Sequence, residues 1–217
     1  HSLNPLLGAK KEVEWLKAQY QGSYYIGLSA SEKAFRTQSA SHHIIHLAMH
    51  GLIYDKQPMN SCLVFSQNND SLYDDALHSY ELTNLDLNTS LLVLSACSTA
   101  DGQYYSGEGV MSMARGFMYA GTSSVLSSLW PINDNSSQQI MQSFYQYLYQ
   151  GNDKDVALQQ AKLDFIRDNN GAVTHPLFWS AFVLMGDSNP VDIKHNNPFM
   201  AGWLIVLILG LVGLIYI

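Results

Sequence analysis

The chain has 217 residues, a length that suits one good-sized domain built around a single hydrophobic core. Hydrophobic residues make up 47% of it and charged residues only 13%, a composition that excludes a disordered chain. Carboxylates number 18 against 11 Lys and Arg with no basic cluster, which excludes nucleic acid as an expected partner. Two cysteines are too few for a disulfide framework and lack zinc-site spacing, which favours a reducing compartment.

The first half of the chain predicts short helices alternating with strands. Residues 24–28 form a β-rich run that predicts a strand, and the capping-box pattern from Ser29 to Glu32 predicts a short helix that runs through Phe35. Buried strands are expected at residues 44–49, 61–66 and 91–96, and the last is apolar throughout, as in a strand covered on both faces of a parallel sheet. An opening helix is predicted from apolar residues at helical spacing, namely Ala9, Val13, Leu16 and Tyr20.

The second half predicts three helices and two strands. Strand 91–96, a helix ended by Gly121 and strand 123–130 form a crossover unit, which joins parallel strands. Two more helices are expected to begin at Asn133 or Asp134 and at Asp153, before a last strand at residues 178–185. This alternation predicts a three-layer α/β domain with a mainly parallel central sheet. The stripe that defines the first of these helices is Val110, Met113, Ala114, Phe117 and Met118.

Residues 199–217 differ from the rest because they contain no charged side chain. Their length approaches the ~30 Å hydrocarbon core of a bilayer, so a C-terminal transmembrane helix is predicted, with a buried core helix as the alternative. The expected organisation is a domain at residues 1–190, a juxtamembrane linker at 191–198 and a membrane helix at 199–217. This predicts a single-pass membrane protein, and Lys194 and His195 beside the span favour a cytoplasmic domain.

Polar residues follow three of the predicted strands at the edge where parallel strands end. Cys97 comes after strand 91–96 and His50 ends strand 44–49, so their side chains are expected to be neighbours, and Asp134 after strand 123–130 can join them. A thiol beside an imidazole has a lowered pKa, and its thiolate is a nucleophile. The sequence therefore predicts a catalytic Cys97–His50 dyad.

The ordinary alternative is that Cys97 is a small buried hydrophobic residue, as a lone cysteine at a strand end commonly is. His46 and His50 also have the spacing of a metal pair on a helix, but the Glu of H-E-x-x-H is missing and the neighbouring isoleucines favour a strand. No metal and no cofactor is therefore expected. His46 is interpreted as a hydrogen-bonded residue of the core or as a support for the catalytic pair.

Six blocks of sequence resemble one known family. They are H-L-A-M-H-G, L-S-A-C-S-T-A, S-G-E-G-V, A-G-T-S-S-V, S-L-W-P-I-N-D and H-P-L-F-W-S-A-F-V-L-M-G. Together, from about Leu6 to Gly186, they are similar to the CHAT-domain family, a branch of the caspase, separase and gingipain group of cysteine endopeptidases. His50 also precedes Cys97 by close to the roughly fifty residues that separate the histidine and cysteine of caspases, although the caspase signature around the cysteine is absent.

The resemblance implies a caspase-hemoglobinase fold with Cys97 as the nucleophile and His50 as the partner base and acid. It also implies that the backbone N–H groups of Gly51 and Cys97 bind the oxyanion. Two positions depart from the family pattern, with Met49 where threonine is usual and Ser98 where glutamate is common. Neither belongs to the dyad, but either can alter the pocket.

Similarity to separase at L-W-P-I-N-D suggests a substrate-binding role for Asp134, which would favour a basic residue before the cleaved bond. The alternative is that Asp134 caps its own helix. Glu108, in the S-G-E-G-V block, is interpreted as a carboxylate at a helix start, with a place in the wall of the site as the alternative.

The resemblance thus implies a cysteine endopeptidase that acts on a protein or peptide and is activated by a partner or a repeat domain. One alternative is a non-catalytic CHAT-like signalling or scaffold module. The other is a thiol hydrolase or acyltransferase that uses the same dyad, although the sequence carries no acyl or cofactor motif. The intact His50, Gly51 and Cys97 favour the endopeptidase.

Overall fold

The computed structural model describes residues 6–67, 73–95 and 108–196, which fold into a mixed α/β domain. Its strands are β1 (Ile44–Leu47), β2 (His50–Leu52), β3 (Cys62–Val64), β4 (Ala76–His78), β5 (Leu91–Leu94), β6 (Ser124–Ser128) and β7 (Phe182–Gly186). Its helices are α1 (Leu7–Gln19), α2 (Glu32–Gln38), α3 (Glu108–Tyr119), α4 (Asp134–Tyr149) and α5 (Lys154–Asp168). Short 3-10 turns connect several of them, the longest at Ser79–Asn84.

The main sheet has four strands in the order β1-β5-β6-β7. β1, β5 and β6 are parallel, and β7 is antiparallel to β6. The predicted crossover through α3 is confirmed, since β5 and β6 are adjacent and parallel. Because parallel strands end at the same edge, residues that follow β1, β5 and β6 lie along one side of the domain.

Helices cover both faces of this sheet, as expected for three layers. Along β5, Leu92 and Leu94 pack with α2 and α3, whereas Leu91 and Val93 pack with α1, α4 and α5. All four side chains of β5 are buried, so the strand needs apolar residues at every position. The unbroken apolar run in the sequence has this physical origin.

A second sheet of three antiparallel strands, in the order β2-β3-β4, packs beside the first. Its Leu63 and Leu77 join the same core as α3. The sequence predicted residues 61–66 as a strand, which the structure places in this second sheet, and it did not predict β4. Strands of three residues are too short to establish a clear hydrophobic period.

The predicted helices are confirmed, and their ends follow known capping chemistry. Asn133 accepts a hydrogen bond from the Asn135 N–H and begins α4, and Ser31 caps α2 by accepting from the Ala34 N–H. Gly121, after α3, has φ of +109°, a conformation that suits glycine. A side chain there would meet the carbonyl of Leu87, so the helix can end only with glycine at this position.

Two predicted strands are corrected. Residues 24–28 form no strand, because the Tyr24 hydroxyl donates to carbonyls at the end of α1 and Gly27 turns the chain at a φ of +61°. The predicted strand 44–49 is two strands in two sheets, since β1 stops at Leu47 and His50 begins β2. β1 pairs with β5, whereas β2 pairs with β3.

The prediction of a C-terminal transmembrane helix is also corrected. In residues 6–67, 73–95 and 108–196, no helix is both long and apolar enough to span a bilayer. The longest, α4, has 16 residues, and at about 1.5 Å each it falls short of the ~30 Å hydrocarbon core. Residues 199–217 lie outside the described residues, so the predicted span, its membrane contact and the single-pass membrane localisation have no support and are not retained.

Candidate active site

The carboxyl ends of β1 and β5 lie side by side. The parallel register pairs Leu47 with Leu94, and the Ser95 N–H continues the ladder by donating to the Leu47 carbonyl at 3.2 Å. His50 follows Leu47 by three residues, and Cys97 follows Ser95 by two. The two chain segments that lead to the predicted dyad are therefore joined by hydrogen bonds at one edge of the sheet.

His50 and Gly51 are the first residues of β2. The partly buried His50 is opposite Val64, and the buried Gly51 is opposite Leu63. The antiparallel ladder fixes the backbone of both residues against β3. Cys97 belongs to residues 96–107, outside the described part of the chain, so its pairing with His50 and its oxyanion contact stay predictions.

A buried polar cluster lies on the face of the sheet that packs against α1 and α4. It consists of Glu12, His46, Ser95 and Tyr145, and we name it the His46 cluster. His46 Nε2 lies 2.8 Å from Glu12 Oε1 and 3.2 Å from Ser95 Oγ, and His46 Nδ1 lies 3.0 Å from the Tyr145 hydroxyl. His46 therefore links α1, α4 and the end of β5. The interpretation of His46 as a hydrogen-bonded core residue is confirmed.

Burial dominates the electrostatics of this cluster. Burial, followed by the nearby charge of Glu12, raises the pKa of Tyr145 well above its ordinary value of 10, so the phenol is neutral. His46 Nδ1 thus faces a neutral hydroxyl, whereas Nε2 faces a carboxylate. Glu12 is only 3% exposed, and a carboxylate this deeply buried needs a nearby donor or cation. Glu12 Oε1 lies 2.8 Å from His46 Nε2, while the hydrogen bond of that nitrogen is with Ser95 Oγ.

Comparison with known proteins decides the family. The sequence profile described as the CHAT domain matches residues 1–187. The chain belongs to the CHAT-domain family. It is also similar to tetratricopeptide repeat protein 28 of Mus musculus (31% identity) and of Homo sapiens (30%), each over 122 residues. That alignment covers 56% of this chain and 5% of the length of each relative.

In this CHAT domain, Asp134 lies at the expected edge, after β6, but it contacts α1. Its Oδ2 accepts a hydrogen bond from the Gly8 N–H at 3.1 Å. A side chain on Gly8 would overlap the Asp134 carboxylate, so glycine permits this approach. Asn133, not Asp134, is the N-cap of α4. Asp134 is exposed, and its substrate-binding role stays a prediction.

The start of α3 is held by the loop that follows β2. Asp55 Oδ1 accepts a hydrogen bond from the Gly109 N–H at 3.0 Å, and a carboxylate at a helix N-terminus is favourable. Glu108 is the first residue of α3, with an exposed side chain 3.9 Å from Arg115. Its interpretation as a carboxylate at a helix start agrees with this position. Asp55, in the loop that follows the strand of His50, is thus joined to the first turn of α3.

Two of the family blocks meet at the same edge of the CHAT domain. The Trp130 indole N–H donates to the Leu177 carbonyl at 3.0 Å, and the Leu129 N–H donates to the Ala181 carbonyl at 3.0 Å. Leu177 is 54% exposed. Neither Trp130 nor Leu177 was predicted as a site residue, although each lies in one of the family blocks. Both lie beside the ends of the parallel strands, with Leu177 exposed and Trp130 partly exposed.

Three members of the His46 cluster, Glu12, Ser95 and Tyr145, were not predicted from the sequence either. A signal was present in α1, where Gly8, Glu12 and Leu16 recur every four residues and form the buried face. A carboxylate between two buried neighbours on a helix indicates a buried partner. The sequence could not identify that partner, because His46 comes from a strand in a different layer.

Proposed function

We propose that this CHAT domain is a cysteine endopeptidase in which Cys97 is the nucleophile and His50 the general base and acid. The single observation that supports it is the pairing of β1 with β5, which brings the segments leading to His50 and Cys97 to one edge of the sheet. Membership of the family, which is related to caspase-like cysteine peptidases, adds independent support. The dyad requires no metal and no cofactor.

Catalysis would proceed through a thioester. The Cys97 thiolate attacks the peptide carbonyl carbon and forms a C–S bond, while the Gly51 and Cys97 N–H groups bind the negative oxygen. The C–N bond then breaks, and the imidazolium of His50 gives its proton to the leaving amine. Water attacks the thioester as His50 removes its proton, which releases the acid and restores the thiol. No third residue is required for these steps.

Substrate recognition is proposed to use the edge around Asp134 and Trp130. The Asp134 carboxylate, which is exposed, can attract a basic side chain, and Trp130 with Leu177 offers apolar contact for the neighbouring part of a peptide. A tetratricopeptide repeat region, on the same chain or on a partner, is the proposed regulatory element. This part rests on the names of the two relatives, both of them tetratricopeptide repeat proteins.

The proposal is tested with the full chain and a pool of fluorogenic peptides that vary the residue before the cleaved bond. We expect turnover by the wild type, and a loss of about 100-fold or more in Cys97→Ala and in His50→Gln. Cys62→Ala and His43→Gln are the matched controls, since Cys62 is buried within β3, opposite Leu52, and His43 is exposed before β1.

Two results would contradict the proposal. One is equal turnover by wild type and Cys97→Ala, which would assign the activity elsewhere. The other is no turnover by wild type, with or without an added repeat-domain partner, together with a Cys97 that no peptide electrophile labels. That second result would favour the non-catalytic signalling or scaffold module.

A further inference from the structure

Ser95 is held from two directions at the point where the chain leaves the sheet. Its N–H donates to the Leu47 carbonyl at 3.2 Å, and its Oγ lies 3.2 Å from His46 Nε2. Only 5% of Ser95 is exposed. Two residues later the chain reaches Cys97, so the orientation of Ser95 limits where the thiol can lie.

We propose that His46 is a positioning residue that fixes the end of β5, and with it the thiol segment, through its contacts with Ser95 and Glu12. This inference rests on the proposed function of Cys97 and goes beyond it by assigning a role to His46, Glu12 and Ser95. His46 acts through Ser95, and it touches no reacting atom.

The geometry excludes a hidden Ser-His-Glu triad. In such a triad the serine and the carboxylate contact opposite nitrogens of the imidazole. Here Ser95 Oγ and Glu12 Oε1 both lie near Nε2, and the Tyr145 hydroxyl contacts Nδ1. Ser95 is also buried, so a substrate cannot reach its hydroxyl. The arrangement is suited to holding a strand end.

Three elements contribute contacts to His46. Glu12 comes from α1, Tyr145 from α4, and Ser95 is the residue that follows β5, while His46 itself pairs with Val93 across the β1/β5 ladder. A shift of α1 against the sheet would therefore change the Glu12 contact and the position of the imidazole. Since His46 contacts Ser95 directly, the shift would be passed to the segment that carries Cys97.

The test measures the rate at which iodoacetamide alkylates Cys97 in the full chain. All variants also carry Cys62→Ala, so that Cys97 is the only cysteine that can react. Ser95→Ala removes the hydroxyl contact and keeps the backbone bond. Ser124→Ala is its matched control, because Ser124 is a fully buried serine on β6 whose hydroxyl donates to the Ser90 carbonyl at 2.7 Å, at the opposite edge of the same sheet. His46→Gln retains a side-chain donor, whereas His46→Leu retains none.

We expect Ser95→Ala to slow alkylation of Cys97 at pH 7 by about tenfold, because small displacements from a reactive geometry are costly in rate. Ser124→Ala should lower the Tm about as much as Ser95→Ala does, but it should leave the alkylation rate of Cys97 unchanged. The alkylation rate of Cys97 in His46→Gln should lie between the rates in wild type and in His46→Leu. For peptide turnover, Ser95→Ala should lower kcat and leave KM unchanged.

Equal alkylation rates in Ser95→Ala and Ser124→Ala, whether both slow or both normal, would overturn the inference. If His46→Leu does not fold, this pair of serine variants still decides the question. His50→Gln separates the inference from the proposed function. If alkylation of Cys97 slows in His50→Gln but not in Ser95→Ala, the positioning role of His46 is rejected and the dyad is not. If it slows in Ser95→Ala but not in His50→Gln, the dyad is rejected and the positioning role is not.

Discussion

The Ser95 amide and the Leu47 carbonyl form the hydrogen bond that joins the ends of β5 and β1. It lies one residue beyond the last paired residues, Leu47 and Leu94. The strand order makes this contact possible, because β1 and β5 are neighbours although three strands separate them along the chain. Those three strands form their own sheet, which carries His50 at its first position.

The two cysteines should differ sharply in reactivity. Cys62 is 3% exposed, and burial together with the charge of Asp74 raises its pKa. We expect the native Cys97→Ala variant to resist iodoacetamide at pH 7 and to take up one label per chain after unfolding in urea. Intact-mass spectrometry gives the count. Labelling of the native variant at the rate of a free thiol would contradict the burial of Cys62.

The helices and the central strands could be predicted from the sequence because each has a period that burial requires. β5 is apolar at every position since both of its faces are covered, and the stripe of α3 faces one of them. The Ser29–Glu32 pattern predicted the start of α2 within two residues of its actual cap, Ser31, and Asn133 or Asp134 was predicted as the start of α4, where Asn133 is the cap. These features depend on local chemistry, which a single sequence contains.

The arrangement of the strands could not be predicted in the same way. Residues 44–52 form one largely apolar run, and the change of sheet between Leu47 and His50 depends on which partner each half finds. β1 pairs with a strand more than forty residues away, and β2 pairs with a hairpin partner. Glu12 illustrates the same limit, since its burial shows in the helical pattern but its partner His46 lies in another layer.

Asp134 offers a choice between substrate binding and support of α1, and Asp134→Asn separates the two. Asparagine keeps an oxygen that can accept from the Gly8 N–H, so the Tm should change little. We expect kcat/KM for peptides with Lys or Arg before the cleaved bond to fall by about tenfold relative to the same peptide with Gln. An unchanged ratio would leave Asp134 with the α1 contact alone.

Lys154 should stabilise the domain without affecting the thiol. Its side chain is 1% exposed, and its ammonium group lies 3.1 Å from the Ser90 carbonyl and 3.2 Å from Asp187 Oδ2, at the edge of the sheet opposite Ser95. Lys154→Met removes these bonds, and we expect the free energy of unfolding to fall by about 2 kcal/mol. Urea titration measures this loss, with the exposed Lys11→Met as control. A change in the Cys97 alkylation rate beyond that of the control would contradict the separation of the two edges.

Tyr20 makes the stability of the domain sensitive to alkaline pH. It is 5% exposed, and burial, with the neighbouring Tyr149 and Tyr24, raises its pKa from 10.0 to about 12. The folded state therefore retains a proton that the unfolded state releases, so the stabilisation is complete below pH 10 and is lost as the pH rises from 10 towards 12.

Tyr20→Phe keeps the ring and removes the ionisable group. Between pH 9 and pH 11.5, its free energy of unfolding should fall by about 2 kcal/mol less than that of wild type. Urea titrations at both pH values provide the measurement, and Tyr119→Phe, at a ring that is 78% exposed, is the control. Parallel losses in wild type and Tyr20→Phe would show that the Tyr20 phenol ionises in the folded protein as easily as in water.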